Sequence, residues 1–458
     1  MATIGGGGRM EDRTQQMGYP AGGVPPAGPY GERTVVPGGT ADRTVVGGPM
    51  RALELEAVPG SRYGYAGGGR EHLLLMAKSA AQAIGRRMPL NLALVIDRSG
   101  SMEGEPLDYV KRACGYVVDL LEPTDILSII TFAEQVDVVM PARRVMNKAL
   151  IKEHINRIQV GNTTNLYDGL AMAAAQVGSV PAGGYLNRIL ILTDGEPTAG
   201  IKDFGSIVNQ VAEVKQRGIS VTALGFGSEY NEELMAGIAR RSGGNYYYIS
   251  QPSLIPEVFR RELETLMTVV ARNLRMRLRL PRGVQCRYVY GVTQPQITAR
   301  TVEYALADVE RGSTLVNLVE LEYARHVPGT YRVARAELTY DDVVSGRTET
   351  LFADAVVEFV TDQSQVETGR NAVVARELEV HLASRNLEKT MMGMRTQQLT
   401  AMSAMQELQR TRTILMQSGR EAQAQEVTQA IDALQRGGDV EKTLIGTIYN
   451  LDQGKKRE

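Results

Sequence analysis

Short apolar runs alternate with amphipathic helical segments between Leu90 and about Arg272, and this alternation constrains the fold more than any other feature of the chain. The runs are short and largely apolar, which is typical of strands in a parallel sheet that is covered on both faces. They are NLALVI, ILSIITF, RILILT, ISVTALGFG and NYYYIS. Strands that alternate with helices predict an α/β domain with a doubly wound, mostly parallel sheet.

The hydrophobic period changes on both sides of this domain, which we place at residues 88–272. Residues 273–362 contain strictly alternating segments such as LRMRLRLPRGV and are predicted to form antiparallel strands. Residues 50–87 hold two further predicted strands joined by a Gly-rich loop. We expect them to pair with the later strands, so that the α/β domain is inserted into an antiparallel β-sandwich.

Residues 363–458 are helical in pattern and rich in Met and Gln, and they predict a small helical bundle. Met is a flexible gap-filler in hydrophobic cores. The methionines of this C-terminal helical region are therefore expected to fill its core rather than to line a binding groove: Met391, Met392, Met394, Met402, Met405 and Met416.

The N-terminal residues 1–49 are rich in Gly and Pro and contain few large apolar side chains, so they are predicted to be disordered. A repeat, ERTVVPGG and then DRTVVGG, places Thr34 and Thr44 after an acidic–Arg pair. Such exposed threonines are suited to phosphorylation by a Ser/Thr kinase, and a phosphothreonine there would suit a forkhead-associated domain of another protein. The alternative is a duplicated linker fragment or a short strand-pairing peptide.

Composition argues against several classes of protein. Lys and Arg, 51 in total, nearly balance the 52 Asp and Glu, so no basic field favours nucleic acid. Cys114 and Cys286 lie far apart and form neither a disulfide framework nor a Cys-based zinc motif. No apolar run is as long as a membrane span, and the N-terminus lacks the apolar segment of a secretory signal. We therefore expect a soluble, cytoplasmic protein.

The stretch LALVIDRSGSMEG ends a buried strand with three oxygen-bearing side chains, those of Asp97, Ser99 and Ser101. Alternate side chains of an extended segment share a face, and Gly100 allows a tight turn between the serines. Ligands of an α/β sheet bind beyond the carboxyl ends of its strands. The three oxygens are predicted to converge on one point, and a set of oxygen donors suits a hard cation.

Two later segments carry matching groups. ILILTDGEP ends a strand with Asp194, and GNTTNLYDGL places Thr163 and Thr164 just before a helix. A parallel sheet would bring both segments to the edge where Asp97 lies. Taken one at a time, these residues also have structural explanations, since Asp97 can end a strand and Ser99 or Ser101 can cap a helix.

The segments DRSGS, TTN and TDG, in this order, resemble the metal-ion-dependent adhesion site of a von Willebrand factor type A domain of bacterial type, over about residues 88–272. The resemblance implies a mostly parallel sheet flanked by helices, and none of the five ligand positions departs from the family pattern. The flanking strands resemble the β-sandwich with an inserted A domain of vesicle-coat proteins and integrin β chains. The implied metal ligands are Asp97, Ser99, Ser101, Thr164 and Asp194, with Thr163 as a one-residue alternative to Thr164.

The residue types of this site suit the binding of a partner protein through a metal ion. Two carboxylates balance a divalent ion, and three neutral hydroxyls leave an open coordination position that an Asp or Glu carboxylate of a partner protein can fill. Mg²⁺, which takes six oxygens, is the expected ion, and Mn²⁺ is the alternative. We expect a non-enzymatic, metal-dependent protein-binding module.

The sequence leaves two alternative functions to consider. One is a partner or adaptor subunit of an AAA+ ATPase of the chelatase or MoxR type; the chain has no GxxxxGK[ST] loop and is not itself the ATPase. The other is an enzyme, but the sequence has no GxSxG elbow and no GxGxxG after a strand. Metal-assisted hydrolysis is conceivable at the predicted site, although no general base is evident.

Overall fold

The computed structural model of the chain describes residues 51–80, 87–181, 183–292, 294–436 and 440–457. The tail 1–49, with Thr34 and Thr44, lies outside the described residues. The strands, in chain order, are β1 (Leu53–Pro59), β2 (Tyr63–Tyr65), β3 (Gly69–Ser79), β4 (Leu90–Asp97), β5 (Ile126–Phe132), β6 (Val136–Arg144), β7 (Leu186–Gly195), β8 (Ile219–Glu229), β9 (Tyr246–Ile249), β10 (Val269–Arg279), β11 (Val284–Val289), β12 (Gln296–Ile297), β13 (Thr301–Ala305), β14 (Val309–Glu310), β15 (Ser313–Tyr323), β16 (Gly329–Asp342), β17 (Arg347–Val360) and β18 (Lys455–Arg457). The α-helices are α1 (Glu105–Leu120), α2 (Lys148–Asn156), α3 (Leu166–Gly178), α4 (Phe204–Gln216), α5 (Glu232–Ser242), α6 (Ile255–Met267), α7 (Gln363–Thr368), α8 (Ala372–Arg395), α9 (Ala401–Gln417), α10 (Glu421–Gln435) and α11 (Glu441–Asp452).

The strands β4 to β9 form one mostly parallel sheet, in the order β6-β5-β4-β7-β8-β9. Strand β6 pairs antiparallel with β5, and the other neighbours are parallel. Helices lie between these strands in the chain, so the prediction of an α/β domain with a mostly parallel sheet is confirmed.

Both faces of this sheet are buried, and β4 shows how. Leu92, Leu94 and Ile96 belong to one hydrophobic cluster with residues of α1 and α6. Ala93 and Val95 belong to a second cluster with residues of α3, α4 and α5. Successive side chains of a strand point to opposite faces, so a strand covered on both sides is apolar at most of its positions. This explains the continuous apolar runs of the sequence.

Two antiparallel sheets are built from strands on either side of the α/β domain in the chain. One has the order β1-β3-β15-β11, with β18 also paired to β15; the other has the order β12-β13-β10-β16-β17-β2, with β14 also paired to β10. Strand β3 precedes the α/β domain and β15 follows it, and the two are hydrogen-bonded with Leu74 opposite Leu318. Residues of both sheets share one buried cluster.

The C-terminal helical region is confirmed, and its helices α8 to α11 share a hydrophobic cluster. Met391, Met394 and Met405 pack against this cluster, as predicted. The core-filling prediction is wrong for the exposed Met392, Met402 and Met416, because these positions fall on the outer faces of α8 and α9. None of the described helices has both the length and the apolarity needed to cross a membrane.

Helix α8 also packs against β3 and β15 and carries a buried histidine. The ring of His381 lies 5.2 Å from that of Tyr290, between centroids. Burial lowers the pKa of His381 to about 4; Glu377 acts in the opposite direction, and Arg420, Arg385 and Lys456 lower it further. This histidine is therefore held neutral in the folded protein.

We expect the free energy of unfolding to decrease as the pH is lowered, because of His381. Below about pH 6.5 the unfolded chain takes up a proton that the folded chain accepts only near pH 4, so stability is lost across this window by up to about 3 kcal/mol. The measurement is urea unfolding across the window for wild type and His381→Gln. The variant should show a shallower pH dependence, and equal slopes for the two proteins would contradict the expectation. His154→Gln, on α2, is the matched control for loss of a histidine.

Candidate metal centre

The predicted site residues lie at the carboxyl ends of β4 and β7. These strands are neighbours and run parallel, with Ile96 opposite Leu192, so Asp97 and Asp194 end on the same edge of the sheet. The next strand in the chain after β4 is β5, on the other side of β4 from β7. Connections that leave adjacent strands in opposite directions open a crevice between them, which is where α/β sheets bind ligands.

Hydrogen bonds join the β4 loop to the β7 loop through the site residues. The Ser99 backbone N–H donates to Asp97 Oδ1 at 2.8 Å. The Ser99 and Ser101 hydroxyl oxygens lie 3.2 Å apart, and the Ser101 hydroxyl donates to Asp194 Oδ1 at 2.8 Å. These four residues thus form a continuous chain of contacts.

Thr164 comes to the same place from the loop before α3. A Cβ atom added to Gly195 would lie 3.7 Å from Thr164 Oγ1 and 3.9 Å from Ser101 Oγ, so the two hydroxyls flank one small space. The Thr164 backbone N–H donates to Thr198 Oγ1 at 2.8 Å. The adjacent Thr163 has a buried hydroxyl with no hydrogen-bond partner among the described residues. It is the Thr164 hydroxyl that lies beside Ser101.

Two residues that the sequence analysis missed hold these side chains in place. The Thr193 hydroxyl donates to Asp97 Oδ2 at 2.5 Å, and the Thr198 backbone N–H donates to the Thr164 carbonyl at 3.0 Å. Thr193 directly precedes Asp194 at the end of a strand, so its position in the sequence could have marked it as a residue of the site. Thr198 lies in an irregular loop and gave no such signal.

The site is electrostatically unbalanced without a cation. Burial raises the pKa of Asp97 to about 6; hydrogen bonds from Ser99 and Thr193 oppose this shift, and Asp194 adds to it. Burial also raises the pKa of Asp194, against a hydrogen bond from Ser101. The groups with the largest effects on these pKa values include no Lys or Arg side chain. Two buried carboxylates therefore share the site, and Glu229 adds further negative charge near Asp194.

The residues present fit a hard divalent cation. Two carboxylates supply the compensating charge, and the remaining donors are hydroxyl oxygens, which Mg²⁺ accepts as ligands. Asp97, Ser99 and Thr164 are buried, whereas Ser101 is exposed, so the site is reached from its Ser101 side. Within the described ranges, no group of three or more His, Cys, Asp or Glu residues is placed to hold a metal ion.

The site and its sheet define the class of protein. A family model described as von Willebrand factor type A domain matches residues 91–261. Uncharacterized protein sll0103 of Synechocystis sp. is 30% identical over 298 residues, which cover 63% of this chain and 70% of that protein. The chain belongs to the von Willebrand factor type A domain family. The family consists of protein-interaction modules.

The other comparisons either cover a smaller share of the related protein or show a likeness of fold alone. Uncharacterized protein YfbK of Escherichia coli is 32% identical over 190 residues, and the match spans 41% of this chain and 33% of that protein. The solved structure of a von Willebrand factor type A protein from Catenulispora acidiphila superposes with a TM-score of 0.69 at 18% identity. That match covers 82% of this chain and 89% of the other, so the fold likeness extends beyond the α/β domain.

Proposed function

We propose that the chain is a non-enzymatic module that binds a partner protein through a divalent cation held by Asp97, Ser99, Ser101, Thr164 and Asp194. The observation that carries this proposal is the chain of contacts from Asp97 through Ser99 and Ser101 to Asp194, with the Thr164 hydroxyl beside that of Ser101. It brings two buried carboxylates and three hydroxyls together from three separate loops. In this proposal the α/β domain is inserted into a β-sandwich, which holds it in position.

The chemistry of binding follows from the donor set. A bound Mg²⁺ ion, with Mn²⁺ as the alternative, would supply positive charge and an open position for an Asp or Glu carboxylate of the partner. Thr193 and the Ser99 backbone N–H orient the Asp97 carboxylate. The hydroxyls add no negative charge, so they leave the site attractive to an acidic group.

The test is capture of partners from the native cell by wild type, Asp97→Asn and Asp119→Asn, each with Mg²⁺ and with EDTA. Asp119 is an exposed residue of α1 paired with Lys152 at 2.7 Å, and it serves as the matched control. A partner that uses the site should be retained by wild type and Asp119→Asn in Mg²⁺, and its recovery should fall about tenfold or more with EDTA or Asp97→Asn. Equal recovery in every condition would refute the proposal.

The adaptor alternative is decided by the same capture. A metal-dependent partner that carries a GxxxxGK[ST] loop would identify the chain as a subunit of an AAA+ ATPase complex.

We also propose that phosphorylation of Thr34 and Thr44 regulates this module by creating sites for a forkhead-associated domain. The support is the repeated acidic–Arg–Thr–Val–Val pattern of the tail. Intact-mass measurement of protein purified from its native cell, before and after phosphatase, checks it. A tail without phosphate under all growth conditions would contradict the proposal.

A further inference from the structure

Exposed carboxylates surround the candidate metal centre. Glu103 lies in the loop that carries the site serines, Glu196 directly follows Gly195, and Glu229 is opposite Gly195 in the pairing of β7 with β8. All three glutamates are exposed. Burial raises the pKa of Asp194, and the nearby charge of Glu229 raises it further. We call Glu103, Glu196 and Glu229 the acidic rim.

The basic residues of the same loops do not offset the acidic rim. Arg98, in the loop between β4 and α1, is paired with Asp137 of β6 at 2.8 Å. The loop between β7 and α4 holds Lys202 next to Asp203, so these two cancel. The two site carboxylates balance a divalent ion, which leaves net negative charge at the mouth of the site. Charges within about 10 Å interact at physiological salt, so the rim favours an incoming carboxylate that has a cation beside it.

The N-terminal tail carries carboxylates with such a neighbour. The tail lies outside the described residues, and its sequence contains three acidic–Arg pairs: Asp12–Arg13, Glu32–Arg33 and Asp42–Arg43. Apart from Glu11, every acidic residue of the tail is followed directly by Arg. Each pair therefore combines a carboxylate for the metal centre with a positive charge for the acidic rim.

The first described residues lie at the opposite edge of the parallel sheet from the metal centre. The Ala52 backbone N–H donates to Asp342 Oδ2 at 2.8 Å, and Asp342 is paired with Ala271 of β10. Strand β14 also pairs with Ala271 and begins just after Asp308. Asp308 contacts Arg188, near the amino end of β7, at 3.0 Å. A segment of the tail must therefore pass along the α/β domain to reach the metal centre.

Chain length selects one of the three pairs. Strand β7 has ten residues, about 33 Å, and the tail must also cross two strand spacings of about 5 Å, so the path is roughly 40 Å. Asp42 lies nine residues before Arg51 and reaches at most about 32 Å, whereas Glu32 lies nineteen residues before it and reaches about 65 Å. Asp12 is twice as far away, and its effective concentration at the site is about threefold lower than that of Glu32.

We propose that the metal centre, once a divalent cation is bound, holds the tail of its own chain. The Glu32 carboxylate takes the open coordination position, and Arg33 offsets the charge of the acidic rim. This inference rests on the proposed function, because it needs the cation. It makes the tail an internal competitor, so an external partner binds only by displacing Glu32.

The test is brief trypsin digestion of the full chain in saturating Mg²⁺ and in EDTA, with the tail fragments quantified by mass spectrometry. Mg²⁺ is expected to slow cleavage after Arg33 about tenfold relative to cleavage after Arg43, since a docked Arg33 is withheld from the protease. Glu32→Gln should remove this protection. Asp42→Asn is the matched control and should keep it.

A rim variant tests the charge argument. Glu103→Gln/Glu196→Gln/Glu229→Gln should reduce the protection about fivefold in saturating Mg²⁺, because exposed charge pairs each contribute little. Unchanged protection in this variant would contradict the role of the acidic rim.

Calorimetric titration of the same preparations with Mg²⁺ separates two kinds of failure. If Mg²⁺ does not bind wild type, the proposed function and this inference both fail. If Mg²⁺ binds but Arg33 is cleaved as fast as Arg43, or if Glu32→Gln is protected as wild type is, the inference alone is overturned. Protection that increases with protein concentration would assign the contact to a second copy and would overturn docking within one chain.

Discussion

Replacing Asp97 by Asn is expected to abolish Mg²⁺ binding and, at the same time, to stabilise the metal-free protein. The substitution removes one of the two carboxylates of the site, so Mg²⁺ affinity should fall by about 100-fold or more. The stabilising effect has a separate cause. Burial raises the pKa of Asp97 to about 6, so an ionised Asp97 near pH 7 disfavours the folded, metal-free state by about 3 kcal/mol.

The sign of this effect follows from proton binding. Between about pH 4 and pH 6 the folded, metal-free chain binds more protons at Asp97 than the unfolded chain does, so its stability falls as the pH rises through this window. Because Asn cannot ionise, the Asp97→Asn variant does not lose this stability as the pH rises. Calorimetric titration with Mg²⁺ and urea unfolding in EDTA measure the two effects.

The control for Asp97→Asn is Asp119→Asn, which should change neither quantity. A variant that binds Mg²⁺ as wild type does would show that Asp97 is not a ligand. A variant that is less stable than wild type in EDTA would show that the carboxylate stabilises the fold, as expected of a strand-ending residue, and would weaken the assignment.

Asp308→Ala is expected to lower the free energy of unfolding by about 3–5 kcal/mol. Arg188, on β7 of the α/β domain, and Asp308, just before β14 of the antiparallel sheets, form a buried ion pair at 3.0 Å. Both side chains are almost fully buried, and Arg188 Nε has no hydrogen-bond partner in the described ranges. Removing Asp308 leaves the guanidinium buried without its counter-charge, which is the costly half of breaking such a pair.

The comparison for Asp308→Ala is Asp354→Ala, which breaks an exposed pair with Arg335 at 2.7 Å. Because exposed pairs contribute little, this control should lose less than about 1 kcal/mol. The double variant Arg188→Met/Asp308→Leu should recover most of the lost stability, since it removes both charges. Urea unfolding measures all of these, and equal losses for the two single variants would contradict the role of burial.

The α/β domain could be predicted from the sequence because its pattern is local. A strand covered on both faces is mostly apolar, and β4 is buried at every position from Leu90 to Ile96 and apolar at all of them except Asn91. The antiparallel region was harder, because short strands give weak patterns. Residues 50–87 were predicted to hold two strands, whereas β2 is a third, of three residues, that pairs with the distant β17.

The candidate site was predicted in outline for a similar reason. Asp97, Ser99 and Ser101 follow a recognisable strand at alternate positions, and Asp194 ends another strand. The contribution of Thr193 was not predicted, because its hydroxyl reaches a carboxylate 96 residues away in the chain. Spacing alone also did not distinguish Thr163 from Thr164 as the ligand. The direction of each side chain depends on the backbone conformation of the loop, which the spacing does not give.

The sequence by itself determined the element types, the order of the polar segments and the residue chemistry at the strand ends. All of these depend on periods of two and 3.6 residues, which a chain carries locally. Only the tertiary structure decided which distant groups meet, such as the Thr193 hydroxyl with Asp97 and Arg188 with Asp308. Such contacts depend on how strands pair and helices pack, and no local period encodes that choice.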